Sequence, residues 1–294
     1  MKTLFVIALA SFSLSSFAKM SPKVIYGEDD REDVVNVSDN MLVEKSRSTA
    51  AMIYSRYLTL QTDGTYKVQG RSLVDRGWCA SERFANQKAS ASCSGFLIAD
   101  DVLVTAGHCV SKAEDCSENS WVFDFKLANS TDITAAVPKD SVYGCKSILH
   151  SSNTSFPFVN DYAIIRLDRK VMDRAPLEIR VSGKIAKGTP VVLMGHPSGL
   201  PLKIAGGATV RSNWRWKIFK TNTDSFAGNS GSAVIDANTG VVEGILIGGE
   251  KDEVTSSTGC LESYKCSNTG CNGEDVTRIT NLPKIYKYYE GKGL

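Results

Sequence analysis

The chain has 294 residues, 42% hydrophobic and 22% charged, which suits one large globular domain or two small ones. Its 34 basic and 32 acidic residues leave a net charge of +2. No basic block stands out, so nothing supports nucleic-acid binding.

Residues 1–18 read as a secretory signal. Lys2 supplies the charged start, Leu4 to Leu14 the short apolar run, and Ser16-Phe17-Ala18 the small residues around a cleavage point. The run is too short to span a bilayer comfortably and no second long one follows, so no membrane partner is expected. A secreted or periplasmic protein keeps its cysteines oxidised, and the eight cysteines read as disulfides. Residues 19–47 form a charged arm or a pro-segment, with the mostly acidic stretch Glu28-Asp29-Asp30-Arg31-Glu32-Asp33.

Strand-like patterning begins in residues 48–70, at Met52-Ile53-Tyr54 and Tyr57-Leu58-Thr59-Leu60. Arg71 to Ala91 reads as an insertion held by Cys79. Short strands are predicted at Ser94–Ile98, Val102–Thr105, Trp121–Leu127, Ser141–Leu149 and Tyr162–Leu167. After a linker near 170–187 come Pro190–Met194, Leu202–Ala205, Trp214–Lys220, Ser232–Ile235 and Val241–Ile247. Many short strands between turn residues predict an all-β sandwich or barrel. The tail, residues 283–294, reads as a helix, with Asn281 as cap and Pro283 in its first turn.

One stretch organises the rest: Gly228-Asn229-Ser230-Gly231-Ser232. Glycines around a serine permit a tight backbone path, and neighbouring N–H groups can converge on a developing oxyanion. A serine hydroxyl needs a base within reach, and that base needs orienting. Of three histidines, His108 stands in Thr105-Ala106-Gly107-His108-Cys109, directly after a strand. His150 and His196 read as loop and turn residues. Asp161 opens the run Tyr162-Ala163-Ile164-Ile165-Arg166-Leu167, where a carboxylate is costly unless paired.

In these three motifs, and in their order, residues 90–250 resemble the chymotrypsin-like serine peptidases. The bacterial branch with the glutamyl endopeptidases is nearest, since Gly-Asn-Ser-Gly-Ser replaces the animal Gly-Asp-Ser-Gly-Gly. The resemblance implies two six-stranded antiparallel β-barrels with the active site between them, here 48–175 (histidine and aspartate) and 176–282 (serine). It implies a Ser230–His108–Asp161 triad, an oxyanion hole from the N–H groups of Gly228 and Ser230, and a disulfide Cys93–Cys109. The other six cysteines allow many pairings, of which we favour Cys116–Cys145. The spacing of Cys260, Cys266 and Cys271 lacks paired units and a nearby histidine, so no metal is expected. No cofactor is implied, and a monomer acting on protein or peptide substrates is expected.

Two departures from the family matter. Asn229 stands where the animal enzymes place an aspartate that pairs with a freed N-terminal amine, so no such ion-pair switch is expected. Asp224, followed by Ser225, lies where trypsin-type members place the acid that binds Lys or Arg. The facing wall would be Ile247-Gly248-Gly249, pairing with substrate as an added strand. The glutamyl branch places a histidine just before this wall, and here the residue is Leu246. Cleavage after Lys or Arg is therefore expected. The alternatives are a glutamyl-specific endopeptidase and an inactive binding protein on the same fold.

Overall fold

The computed structural model describes residues 24–154 and 159–283. Twelve strands build two closed six-stranded barrels. The first comprises β1 (Thr49–Tyr54), β2 (Cys93–Ala99), β3 (Val102–Thr105), β4 (Asn119–Phe123), β5 (Val142–Thr154) and β6 (Asn160–Leu167). Its order is β4-β5-β6-β3-β2-β1, with β1 pairing β4 to close it. The second comprises β7 (Pro190–Gly195), β8 (Lys203–Ser212), β9 (Ile218–Thr221), β10 (Ala233–Asp236), β11 (Val242–Gly248) and β12 (Glu274–Arg278). Its order is β7-β10-β11-β12-β9-β8, closed between β7 and β8.

Successive side chains of a strand point to opposite faces, and here both faces of several strands are buried. In β2, Leu97 points into the first barrel with Trp121, Phe123 and Ile165. Its neighbours Phe96 and Ile98 point outward, into a core shared with Val192, Met194, Ile235 and Ile245 of the second barrel. In β7, Val191 and Leu193 fill the second barrel beside Phe219 and Val276, while Val192 and Met194 join the shared core. Near-continuous apolar runs such as Ala163-Ile164-Ile165 follow from this double burial.

Two predicted strands are corrected, and one strand was not predicted. The strand expected over Trp214–Lys220 begins only at Ile218, and the residues before it form a turn with both tryptophans exposed. The strand expected over Trp121–Leu127 stops at Phe123, because Asp124 takes φ 57° and turns the chain. The last barrel strand, β12, has no counterpart among the predicted strands. The sequence-predicted signal and most of the C-terminal helix lie outside the described residues.

The N-terminal segment is built into the second barrel. Arg31–Asp33 pairs with Lys203–Ala205 on the outer edge of β8, and Ile25–Tyr26 pairs in parallel with Lys265–Cys266. Disulfides join Cys79–Cys260, Cys93–Cys109, Cys116–Cys145 and Cys266–Cys271. No described helix is long and apolar enough to cross a membrane.

Candidate active site

His108 sits in a single 3₁₀ turn, Gly107–Cys109, at the end of β3. A Cβ on Gly107 would come within 2.0 Å of the Ser152 carbonyl, so only glycine lets this turn lie on β5. Asp161 is the second residue of β6 and is 7% exposed. One carboxylate oxygen accepts the His108 backbone N–H at 3.0 Å, and the other lies 2.7 Å from Nδ1. A carboxylate holding Nδ1–H fixes the tautomer in which Nε2 is the free base. The backbone carbonyl of Asp161 accepts the Thr277 hydroxyl at 2.9 Å, so β12 of the second barrel steadies the acid of the first.

Ser230 comes from the loop before β10. Its carbonyl accepts the Ser94 N–H at 2.8 Å. The next residue, Gly231, has φ 88°, and a Cβ there would lie 2.1 Å from the Ser94 carbonyl and 2.9 Å from the Ala106 nitrogen. The Ser230 loop is thus pressed against the turn that carries His108. The sulfurs of Cys93 and Cys109 also lie beside His108, but they are bonded to each other and offer no thiolate to a metal.

Ser94, which the sequence does not single out, ties this loop to the second barrel. Its hydroxyl donates to the Gly228 carbonyl at 2.8 Å and accepts the His196 N–H at 3.0 Å. Gly228 has φ 95°, and a Cβ would meet the His196 carbonyl at 2.4 Å. The Asn229 N–H closes the turn onto the Phe226 carbonyl at 2.9 Å. His196 itself is a core residue. It stacks on Phe125, its Nδ1 donates to the Leu200 carbonyl at 3.0 Å, and burial lowers its pKa to about 3, so it stays neutral. His150 stacks on Tyr162.

A trypsin-like peptidase domain model matches residues 93–245, just over half of the chain. The chain belongs to the trypsin-like peptidase family. A solved structure titled as a Glu endopeptidase in complex with MPD shares the fold, at TM-score 0.53 and 19% identity. The match covers 92% of this chain and 100% of that one. The inactive form of a serine-to-alanine mutant of Rv3671c from M. tuberculosis H37Rv matches at TM-score 0.48 and 15% identity, over 92% of this chain and 99% of that one. A search of curated protein sequences finds no significant match.

The peptidase differs from a simple trypsin-type pocket at Asp224, which is 2% exposed. Its Oδ1 accepts the Tyr26 N–H at 2.7 Å and its Oδ2 the Asp30 N–H at 2.8 Å. Burial raises its pKa to about 7, against the two N–H groups that favour the charged form. Asp224 therefore clasps the N-terminal segment, and a substrate side chain could reach it only by displacing that segment.

A second acid, unnoticed in the sequence, stands nearby. Glu274, at the start of β12, is fully buried and accepts from the Ser225 hydroxyl at 2.5 Å, the Glu250 N–H at 3.2 Å and the Tyr26 hydroxyl at 3.3 Å. A Cβ on Gly249 would come 2.1 Å from this carboxylate. Glu274 therefore lies between Ser225 on one side and the Gly248–Glu250 segment on the other. Under its own burial and beside the carboxylates, the Tyr26 phenol is held far above its usual pKa.

The peptidase's N-terminal segment has two further anchors. The Arg31 guanidinium pairs with Asp29 at 2.7 Å and lies 4.3 Å from the centre of the Phe226 ring. Lys203 and Asp33 form a buried pair at 2.6 Å, completed by Gln87 and the Pro201 carbonyl. Burial lowers the Lys203 pKa to about 8, which Asp33 partly offsets. Only the acidic run hinted at these partners in the sequence.

Proposed function

We propose that this endopeptidase cuts protein or peptide substrates with Ser230 as nucleophile, His108 as general base and Asp161 as the acid that orients it. The observation that carries this reading is the 2.7 Å contact from Asp161 to His108 Nδ1, with the Ser230 loop seated against the same turn. Ser230 Oγ attacks the scissile carbonyl while His108 Nε2 takes the proton. The oxyanion is held by the N–H groups of Gly228 and Ser230, each such donor being worth roughly 3 to 4 kcal/mol in the transition state. His108 then protonates the leaving amine, and water resolves the acyl-enzyme. Nucleophile, base and orienting acid divide the work here as they do in Ser-His-Asp peptidases generally.

Cleavage after Lys or Arg is the specificity we infer. In this reading Ser225, Ile247, Gly248 and Gly249 would line the cleft, with two buried acids, Glu274 and Asp224, behind it. A basic substrate side chain could donate to these carboxyl groups, to Asp224 only once the N-terminal segment gives way. Leu246 offers no positive charge to a glutamyl substrate. The leader at residues 1–18 and the four disulfides support a secreted or periplasmic protein.

The test is labelling of the secreted form with a fluorophosphonate, beside Ser230→Ala and a panel of Lys, Arg and Glu peptides. Labelling that vanishes in the variant, with cleavage after Lys or Arg, is the expected result. Preference for Glu peptides would overturn the specificity. No labelling, before or after limited proteolysis, would overturn the triad and favour an inactive binding protein.

A further inference from the structure

The turn between β8 and β9 carries Asn213-Trp214-Arg215-Trp216-Lys217. Trp214 is 78% exposed and Trp216 79%, whereas the other two tryptophans, Trp78 and Trp121, are buried. Apolar rings of this size are normally withdrawn from water, so a pair displayed side by side marks a contact surface. Basic groups surround the pair. The Arg215 guanidinium lies 5.3 Å from the Trp214 ring and Lys184 Nζ 5.1 Å from Trp216. Lys187 is exposed in the neighbouring segment, and Lys217 follows Trp216. Among the described residues, none of Lys184, Lys187, Arg215 and Lys217 is paired with a carboxylate.

This is a braced turn. Arg278, 3% exposed, reaches up from β12 and donates to the carbonyls of Trp216 at 3.1 Å, Asn213 at 3.1 Å, Arg215 at 3.0 Å and Ile218 at 3.1 Å. Asn281 donates to the Lys217 carbonyl at 2.6 Å. Asn213 donates to the Ile185 carbonyl, which fixes the Lys184–Lys187 segment beside the turn. Six backbone carbonyls are thus satisfied from within, and the side chains facing out are aromatic and cationic.

We infer that this braced turn, with Lys184 and Lys187, docks the peptidase on the surface of an anionic phospholipid bilayer. Tryptophan settles at the headgroup level, where its ring is apolar and its N–H stays hydrated. Unpaired lysines and arginines are drawn to a negatively charged leaflet. The two tryptophans project from a turn, which suits insertion into a deformable interface. The position also leaves the cleft clear. β12 runs from Glu274, beside Ser225 and Gly249, to Arg278 beneath the tryptophans, so the two features lie at opposite ends of one strand. The expectation of no membrane partner rested on the lack of a spanning segment and is revised for this surface contact.

The test uses the full secreted chain carrying Ser230→Ala, to prevent self-digestion, with phosphatidylcholine vesicles with or without phosphatidylglycerol. Co-sedimentation and tryptophan emission are read together, since the two exposed rings should dominate any blue shift. Binding only to the phosphatidylglycerol vesicles, weakened by salt, is expected. Trp214→Ala/Trp216→Ala and, separately, Arg215→Glu/Lys217→Glu should each lower partitioning by at least about tenfold. In the chain with Ser230 intact, neither pair should change hydrolysis of a soluble peptide. No binding to the anionic vesicles, or equal binding by the variants, would overturn the inference. Binding to an insoluble polysaccharide or a protein while both vesicle types stay unbound would also overturn it.

Discussion

Ser94 holds the Gly228 loop through one hydroxyl, donating to the Gly228 carbonyl and accepting the His196 N–H. Ser94→Ala removes both contacts in a site with no exposure to water. Stability should fall by about 1 to 3 kcal/mol, and kcat by about tenfold or more as the Gly228 peptide loses its orientation. Denaturant titration and steady-state kinetics read the two effects, and unchanged kcat would separate Ser94 from catalysis. Asp161→Asn should lower kcat by about 10⁴ with KM little altered, since the wrong tautomer of His108 would be held. Asp224 makes a prediction about pH. Its folded pKa is raised to about 7, so the folded state holds the proton more tightly than the unfolded chain. Its contribution to stability is complete below about pH 4 and is lost as pH rises through about 7, at up to roughly 1.4 kcal/mol per pH unit. Asp224→Asn should flatten that part of a stability–pH curve, and parallel curves for the two proteins would exclude Asp224 as the source.

Among the elements, the N-terminal segment from Val24 to Asp33 has the most consequence for the site. Its amides occupy Asp224, its Tyr26 hydroxyl meets Glu274, and its Asp33 neutralises a buried lysine. Asp33→Ala strands Lys203 without its counter-charge and should cost about 3 to 5 kcal/mol, measured by urea unfolding. Beyond its acidic run, little of this was legible in residues 19–47, which read as a charged arm or a pro-segment, because the partners lie some 170 to 250 positions away. The motifs around His108, Asp161 and Ser230 were legible because small residues and glycines recur where the backbone must pass closely. Gly107 against β5 and Gly231 against Ala106 are the physical reason. β12 escaped notice because Glu-Asp-Val-Thr-Arg shows little apolar alternation. Its charged ends are buried for specific partners, Glu274 for Ser225 and Arg278 for the tryptophan turn. The opposite error was a strand drawn through Trp214 and Trp216, aromatic residues of a type common in strands that here face water.

At the scale of the molecule, the site is a property of the junction. His108 and Asp161 belong to the first barrel and Ser230 to the second, so their spacing is set by the shared core of Phe96, Ile98, Val192 and Met194. The Thr277 hydroxyl on the Asp161 carbonyl crosses the same boundary. The bridge Cys79–Cys260 adds a covalent tie between the insertion before β2 and the long loop after β11. It closes a loop across 181 positions. Replacing both cysteines with alanine should lower stability by roughly 2 to 5 kcal/mol, read as a drop in melting temperature. That loop also carries Asp252, whose carboxylate accepts the Ala227 N–H beside Gly228. The same variant should therefore also lower kcat, as the Gly228 peptide loses part of its support.

The edge pairing of Arg31–Asp33 on Lys203–Ala205 also fixes an order of events. A chain is synthesised from its N-terminus, yet the earliest of these strands has nothing to pair with until residue 205 has followed it. Asp224 and Glu274, which hold the same segment beside the cleft, arrive later still. Contacts so distant along the chain form slowly, because a long loop must close first. Hydrolytic competence should then appear only once both barrels are complete, late in folding.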